Sequence, residues 1–325
     1  MISSNGHNDD LARVFNEKCH SQLVDANFRN RFVIIGSGPS SPIVAPLKKL
    51  LEKFEEKCGK KQKRDEKFWN FCERAFRSNR LAYYDVIRDS FESTPHFESV
   101  IYQNLLAIKF KSYITLNYDK LLPYTFKIYQ GTNYAEHFTV YPVRKRKSNE
   151  LPLTTLRPAD LLNKRCLVAI HGYCDDQKNP NWPREVILKR SDYNKHYFSQ
   201  STNQYLYGWW KELLTLCPCV FIGTSLEEPG LFKVVDDLRK ANHTEFLKHD
   251  HIHLKDVGQS KNQPHYPTPE KTLDVFRQIL FDPLNDKFTG LLNILSMFSG
   301  LDPENASPGT VAPSEIPASD KYPPK

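Results

Sequence analysis

The sequence predicts an α/β fold: a Rossmann-like, mostly parallel sheet with helices on both faces and an inserted helical subdomain. Short, continuous apolar runs such as residues 32–35 are typical of strands that are buried on both faces. These runs alternate along the chain with segments whose apolar residues recur every three or four positions, as in helices. Several runs also end in glycine or polar residues, where open parallel sheets bind their ligands.

The first half of the chain predicts three strands and a helical insertion. Helical spacing over residues 9–26 is followed by a strand at 31–36 and a helix at 42–57. Apolar residues then recur at three- and four-residue steps without a strand pattern, which predicts three or four helices inserted at about 58–110. Further elements follow as a strand at 112–117, a helix at 119–129, a short strand at 138–141 and a polar connection at 142–164.

The second half repeats the alternation. We predict strands at 166–171, 186–188, 219–223, 251–254 and 279–281, and helices at 191–198, 202–216, 229–241, 269–278 and 286–298. One domain would therefore span residues 1–300. Residues 301–325 are rich in proline and serine and almost lack large apolar residues, so we expect a disordered tail.

Composition bounds the class of protein. In 325 residues, 39% are hydrophobic, which allows a large core, and no apolar run of 18 residues predicts a membrane span. The polar N-terminus lacks a signal sequence, and seven irregularly spaced cysteines indicate reduced thiols, so we expect a cytoplasmic protein. The net charge of +7 is concentrated at 57–67 and 144–147. Because no nucleic-acid motif accompanies these runs, they are interpreted as solvated loops and no nucleic-acid partner is expected.

Polar or glycine residues end four of the predicted strands. Individually, each group has an ordinary structural explanation: a tight turn, a helix cap for Asn117 and Asp119, or a core histidine for His171. Because the carboxyl ends of parallel strands meet at one edge of a sheet, the four groups together predict a ligand site there. They are Gly36-Ser37-Gly38, the segment 115–119, His171-Gly172 and Gly223-Thr224-Ser225.

In order along the chain, the motifs G-x-G-x-S, T-x-N-x-D, H-G and G-T-S resemble those of the sirtuin-like (Sir2-like) family. The similarity is to its divergent zinc-less branch of NAD-depleting defence proteins, and Asp192-Tyr193 after residues 186–188 resembles a segment of that branch. The resemblance implies a homo-oligomer that uses NAD as a substrate. It places the pyrophosphate at Gly36, Ser37, Gly38 and Ser40, the adenosine at Gly223, Thr224 and Ser225, the nicotinamide ribose at Asn117 and Asp119, and the catalytic base at His171.

The chain also departs from the zinc-dependent sirtuins. None of the cysteines after His171 forms a C-x-x-C pair, so we expect no metal, and protein deacylation is disfavoured. Leu116 replaces the usual glutamine, and Pro39 replaces an apolar residue in the glycine turn. The expected function is therefore an NAD hydrolase (NADase) that releases nicotinamide and ADP-ribose. A non-catalytic NAD or ADP-ribose binding module is the alternative, and an NAD-dependent deacylase is a disfavoured third.

Three alternating histidines, His249, His251 and His253, would share one face of a strand. Such a set could bind a metal ion. Because no fourth ligand is evident, a half-exposed strand is favoured.

Overall fold

An eight-stranded parallel sheet forms the centre of the computed structural model. The strand order is β4-β3-β5-β2-β1-β6-β7-β8. The structure describes residues 5–40, 44, 47–92, 99–140, 151–152, 156–174, 181–198, 205–224, 226, 228–256, 276–281 and 287–299. The strands are β1 (Phe32–Ile35), β2 (Ser112–Thr115), β3 (Phe138–Val140), β4 (Leu151–Pro152), β5 (Leu167–Ala169), β6 (Cys219–Ile222), β7 (His251–Asp256) and β8 (Phe276–Phe281).

Helices precede, separate and follow these strands. Short 3-10 turns and a π-helical turn at Asn194–Phe198 complete the described elements. The α-helices are α1 (Asn5–Asp25), α2 (Leu47–Cys58), α3 (Phe68–Ser78), α4 (Arg80–Phe91), α5 (Val100–Ala107), α6 (Leu121–Gln130), α7 (Tyr134–His137), α8 (Arg190–Tyr193), α9 (Tyr205–Leu216), α10 (Pro229–Lys240), α11 (Thr244–Lys248) and α12 (Lys287–Ser299).

Both faces of the sheet are buried, which explains the continuous apolar runs. On β1, Val33 and Ile35 join the core on one face, while Phe32 and Ile34 join the core on the other. Helices α2 to α6 and α12 pack on the first face, and α9 to α11 pack on the second. The predicted α/β class, with a parallel sheet and helices on both faces, is confirmed.

The predicted helical insertion consists of α3, α4 and α5. Its residues Phe71, Tyr83 and Ile101 share one core with Val33 and Ile35 of β1. The insertion therefore covers one face of the sheet and shares its core with β1. The extent of the domain, residues 1–300, stays a prediction.

Some local predictions were wrong. Residues 186–188 form no strand: the Ile187 N–H donates to the His171 carbonyl at 3.0 Å, and the Ile187 carbonyl accepts from the Tyr118 hydroxyl at 2.7 Å. This segment thus crosses the carboxyl edge of the sheet. Strand β4 and helices α7 and α11 were not predicted. The helix expected over 269–278 is wrong at 276–278, where β8 begins.

Several predicted regions lie outside the described residues. These are 269–275, the basic run 144–147 and the tail 301–325. Within the described part of the chain, no helix combines the length and the apolar character needed to cross a membrane.

Candidate active site

The four polar strand ends lie side by side, because β5, β2, β1 and β6 are consecutive in the sheet. Backbone hydrogen bonds continue across their carboxyl ends. The Ile170 N–H donates to the Thr115 carbonyl at 3.2 Å, the Leu116 N–H to Ile35 at 2.9 Å, and the Gly36 N–H to Ile222 at 2.9 Å. The fold therefore brings the predicted motifs to one edge of the sheet, with Ser225 outside the described residues.

The glycine turns after β1 and β6 touch each other. The Gly38 N–H donates to the Gly223 carbonyl at 3.0 Å. Gly223 has φ +64°, and a Cβ there would lie 2.2 Å from Cδ of Pro39, while a Cβ on Gly36 would lie 2.3 Å from the Gly223 oxygen. Both positions require glycine, because the two turns come so close that a side chain would not fit. The N–H groups of Gly36 and Gly38 are occupied by backbone carbonyls, and Ser37 is exposed at the tip of the turn.

A buried hydrogen-bond network surrounds the Ser40 hydroxyl. Ser40 donates to Oδ2 of Asp119 at 2.7 Å, accepts from Nδ2 of Asn117 at 3.0 Å, and lies 2.6 Å from the Tyr102 hydroxyl. A serine hydroxyl has one proton and two lone pairs. Since its proton goes to Asp119, Tyr102 must be the donor in the third contact, and Ser40 is then fully satisfied.

This network fixes the orientation of the Asn117 amide. Nδ2 donates to the Gly36 carbonyl at 2.9 Å as well as to Ser40. The flipped amide would set Oδ1 against the Gly36 oxygen, two acceptors facing each other, and is excluded. In the described part of the chain no group donates to Oδ1 of Asn117. Oδ1 is therefore available to accept a hydrogen bond from another molecule or to contact it directly.

Asp119 has a structural role beside its place in the network. Its Oδ1 accepts from the Leu121 N–H at 3.0 Å, at the start of α6. Burial raises the pKa of this carboxyl, and the Ser40 hydrogen bond lowers it in part. The capping role expected for Asp119 and its contact with the Ser40 network therefore coexist.

His171 lies in a second buried network. Its Nε2 is 3.0 Å from the Tyr197 hydroxyl and 3.4 Å from Oε1 of Glu228, and the side chain is 1% exposed. Burial lowers the pKa of His171 to about 3, so the imidazole is neutral at neutral pH. Burial also raises the pKa of Glu228 to about 7, against the effect of N–H groups at the start of α10 that donate to this carboxyl.

The two networks are connected only indirectly. Within the described residues, no hydrogen bond joins Asn117 to His171. Asn117 contacts Tyr102 of one core, while His171 contacts Tyr193 and Tyr197 of the other. Tyr118, next to Asn117, donates its hydroxyl proton to the Ile187 carbonyl, and the Ile187 N–H donates to the His171 carbonyl.

Sequence reasoning did not identify Tyr102, Tyr197 or Glu228. Glu228-Pro229 has the pattern of a helix start, with proline at the first helical position, which could have marked Glu228 as a buried cap. No local pattern distinguishes the two tyrosines from other core aromatics. Leu116 packs against the core opposite to that contacted by Asn117.

Thr224 is engaged locally. Its carbonyl lies 2.8 Å from Nε2 of His253, and its hydroxyl accepts from the Leu226 N–H at 3.1 Å.

His251 and His253 are 1% and 4% exposed, so the expectation of a half-exposed strand was wrong at these positions.

Metal-binding residues are not clustered in the described part of the chain. No group of three or more histidine, cysteine, aspartate or glutamate residues there could hold an ion. All seven cysteines are buried, and none of them is part of a disulfide bond. The absence of a metal nevertheless stays a prediction.

Part of the chain is similar to a known protein family. Residues 111–267 match the family model described as a SIR2-like domain. This stretch contains Asn117, His171 and Thr224, and it begins after the glycine turn at 36–38. The match implies an NAD-related activity without specifying the reaction.

A solved chain described as "Structural Basis for the Mechanism and Regulation of Sir2 Enzymes" is 14% identical to this chain. The comparison covers 88% of this chain and 96% of that one, with a TM-score of 0.39. No curated protein matches the chain.

Proposed function

We propose that this protein is an NAD glycohydrolase that cleaves the nicotinamide–ribosyl bond and releases nicotinamide and ADP-ribose. The observation that carries the proposal is the placement of Asn117 and His171 at the carboxyl ends of adjacent strands, β2 and β5, beside the paired glycine turns. The SIR2-like match over the same residues supports NAD as the substrate.

Asn117 would act on the ribose. As the bond to nicotinamide breaks, positive charge develops on the ribose, and an amide oxygen held in place stabilises it. Oδ1 of Asn117 suits this task, because Gly36 and Ser40 hold the opposite end of the amide. Asp119 would help to hold the Asn117 amide indirectly, because it accepts the Ser40 hydroxyl proton. Since the supporting groups are buried, the amide needs little reorganisation during the reaction.

His171 would be the general base. Its neutral imidazole can take a proton from water, or from a ribose hydroxyl, while water attacks the ribosyl carbon. The side chain is buried in the present arrangement, so NAD must gain access by local movement at the strand ends. Ser37, exposed at the first turn, and the Gly38 N–H, once released from Gly223, would bind the pyrophosphate, and Thr224 with Ser225 would face the adenosine half.

Incubation of the purified chain with NAD tests the proposal, with nicotinamide and ADP-ribose separated by liquid chromatography. Each oligomeric fraction is assayed, because a homo-oligomer is predicted. We expect His171→Ala to lower the rate by about 100-fold or more. His249→Ala is the matched control, since His249 precedes β7 at the opposite edge of the sheet. No nicotinamide in any fraction, or full activity in His171→Ala, would contradict the proposal.

A non-catalytic NAD or ADP-ribose binding module is the second candidate. Leu116 favours it, because it stands in place of the usual glutamine and supplies no hydrogen-bonding group for the ribose. Calorimetry that detects NAD binding, with no nicotinamide formed over hours, would select this alternative. A deacylase remains disfavoured, and loss of the acetyl group from an acetyl-lysine peptide that depends on NAD would favour it instead.

A further inference from the structure

We infer that Glu228 is the positioning residue of His171: it holds the proton on Nε2 and so leaves the lone pair of Nδ1 to accept a proton from the reacting molecule. The inference deepens the proposed NAD hydrolysis and rests on it for its catalytic meaning. The contact between Glu228 and His171 can be tested whether or not the protein hydrolyses NAD.

The geometry at the imidazole supports this division of roles. Nε2 lies 3.4 Å from Oε1 of Glu228, an ion-pair contact, and is hydrogen-bonded to the Tyr197 hydroxyl at 3.0 Å. In the described part of the chain, Nδ1 of His171 makes no hydrogen bond. A carboxylate on one ring nitrogen, with the other nitrogen open, is the arrangement by which an acidic residue sets the tautomer of a catalytic base.

The Glu228 carboxyl is itself held firmly. Oε1 accepts from the Gly230 N–H at 3.1 Å, and Oε2 accepts from the Leu231 N–H. A Cβ on residue 230 would meet the Tyr197 ring at 2.3 Å, so Gly230 lets this ring pack against the start of α10. The start of α10 therefore holds the Glu228 carboxyl and leaves room for the Tyr197 ring beside it.

Protonation of Glu228 would reverse the arrangement. A protonated carboxyl donates to Nε2 and moves the imidazole proton to Nδ1, which can then no longer act as a base. With the pKa of Glu228 raised to about 7, this change falls within the physiological range.

Besides Tyr197, the titratable groups around Glu228 and His171 are Tyr118, Tyr193 and His196. Burial raises the pKa values of Tyr118 and Tyr193, and lowers that of His196 to about 4. A pH-dependent change near 7 at His171 would therefore report Glu228.

Nitrogen-15 NMR of the histidine rings in the full chain tests the inference without using activity. We expect the His171 signals to change from the Nδ1–H to the Nε2–H tautomer as pH rises through about 7. Glu228→Gln should abolish this transition. Glu228→Asp keeps the charge and a good helix cap, and should retain a transition with a shifted midpoint. Glu245→Gln, an exposed glutamate on α11, is the matched control and should leave the transition unchanged.

Steady-state kinetics give the second measurement. We expect kcat of the native chain to rise with pH through about 7. Glu228→Gln should lose that dependence and about 10- to 100-fold of kcat at pH 8, with KM changed less than about threefold. If the native chain releases no nicotinamide, the proposed function fails, while the tautomer change still decides the role of Glu228. A His171 tautomer that does not respond to pH, or responds equally in Glu228→Gln, would overturn the inference.

Discussion

Replacing Ser40 by alanine should destabilise the protein far more than one hydroxyl group usually does. Ser40 is buried and satisfies three other buried side chains: Asn117, Asp119 and Tyr102. Removing its oxygen leaves an amide N–H and a phenol O–H without their partner and takes a donor from a carboxyl. Each such loss costs about 1–3 kcal/mol, but losses within one network do not add fully.

We therefore expect Ser40→Ala to lower the free energy of unfolding by about 2–4 kcal/mol. Asp119 limits the cost, since burial has already raised its pKa and the carboxyl can take up a proton. Urea unfolding followed by circular dichroism measures the change as a shift of the midpoint at constant slope. The matched control is Ser37→Ala, the same chemical change at an exposed site in the same turn, with an expected effect within about 0.5 kcal/mol. Equal stability of the two variants would refute the network.

Three further predictions concern the turns and the buried histidines. Gly223→Ala should cost about 2–4 kcal/mol in urea unfolding, because alanine is strained at φ +64° and its Cβ overlaps Pro39; a loss below 1 kcal/mol would contradict the close approach. Gly230→Ala should displace Tyr197 from His171 and reduce NAD cleavage at least tenfold in the nicotinamide assay, and unchanged activity would argue against this packing. Burial lowers the pKa of His251 to about 3, so between about pH 3 and 6.5 this histidine is neutral in the folded chain and takes up a proton on unfolding, and its contribution to stability falls on acidification. His251→Asn should therefore reduce the slope of the free energy of unfolding against pH by up to about 1.4 kcal/mol per pH unit. Urea titrations at pH 7, 6 and 5 measure this slope, and equal slopes in the native chain and the variant would disprove the prediction.

Local patterns predicted the central sheet and the edge that carries the site. Strands β1, β2 and β6 are buried on both faces, so their apolar runs are continuous, and the polar residues that follow them mark the carboxyl edge. The missed and the misassigned elements have different causes. Strand β4 has two residues, too few to show a pattern, whereas residues 186–188 form an apolar run like that of a strand because they pack across the edge of the sheet.

The partners of the site residues could not be predicted in the same way. Ser40 and Tyr102 are separated by 62 positions, and His171 and Glu228 come from different elements that only the folded chain brings together. The sequence indicates that a serine and a histidine lie near the sheet edge. It does not indicate which tyrosine or carboxylate faces them, because long-range packing decides that choice.

The structure of His171→Ala crystals soaked with NAD tests the central claim most directly, since the variant should bind the substrate without consuming it. We expect the nicotinamide ribose at the carboxyl ends of β2 and β5, within hydrogen-bond distance of Oδ1 of Asn117. We also expect the pyrophosphate at the turn that contains Ser37. NAD bound away from the ends of β5, β2, β1 and β6, with Asn117 untouched, would contradict the proposed site.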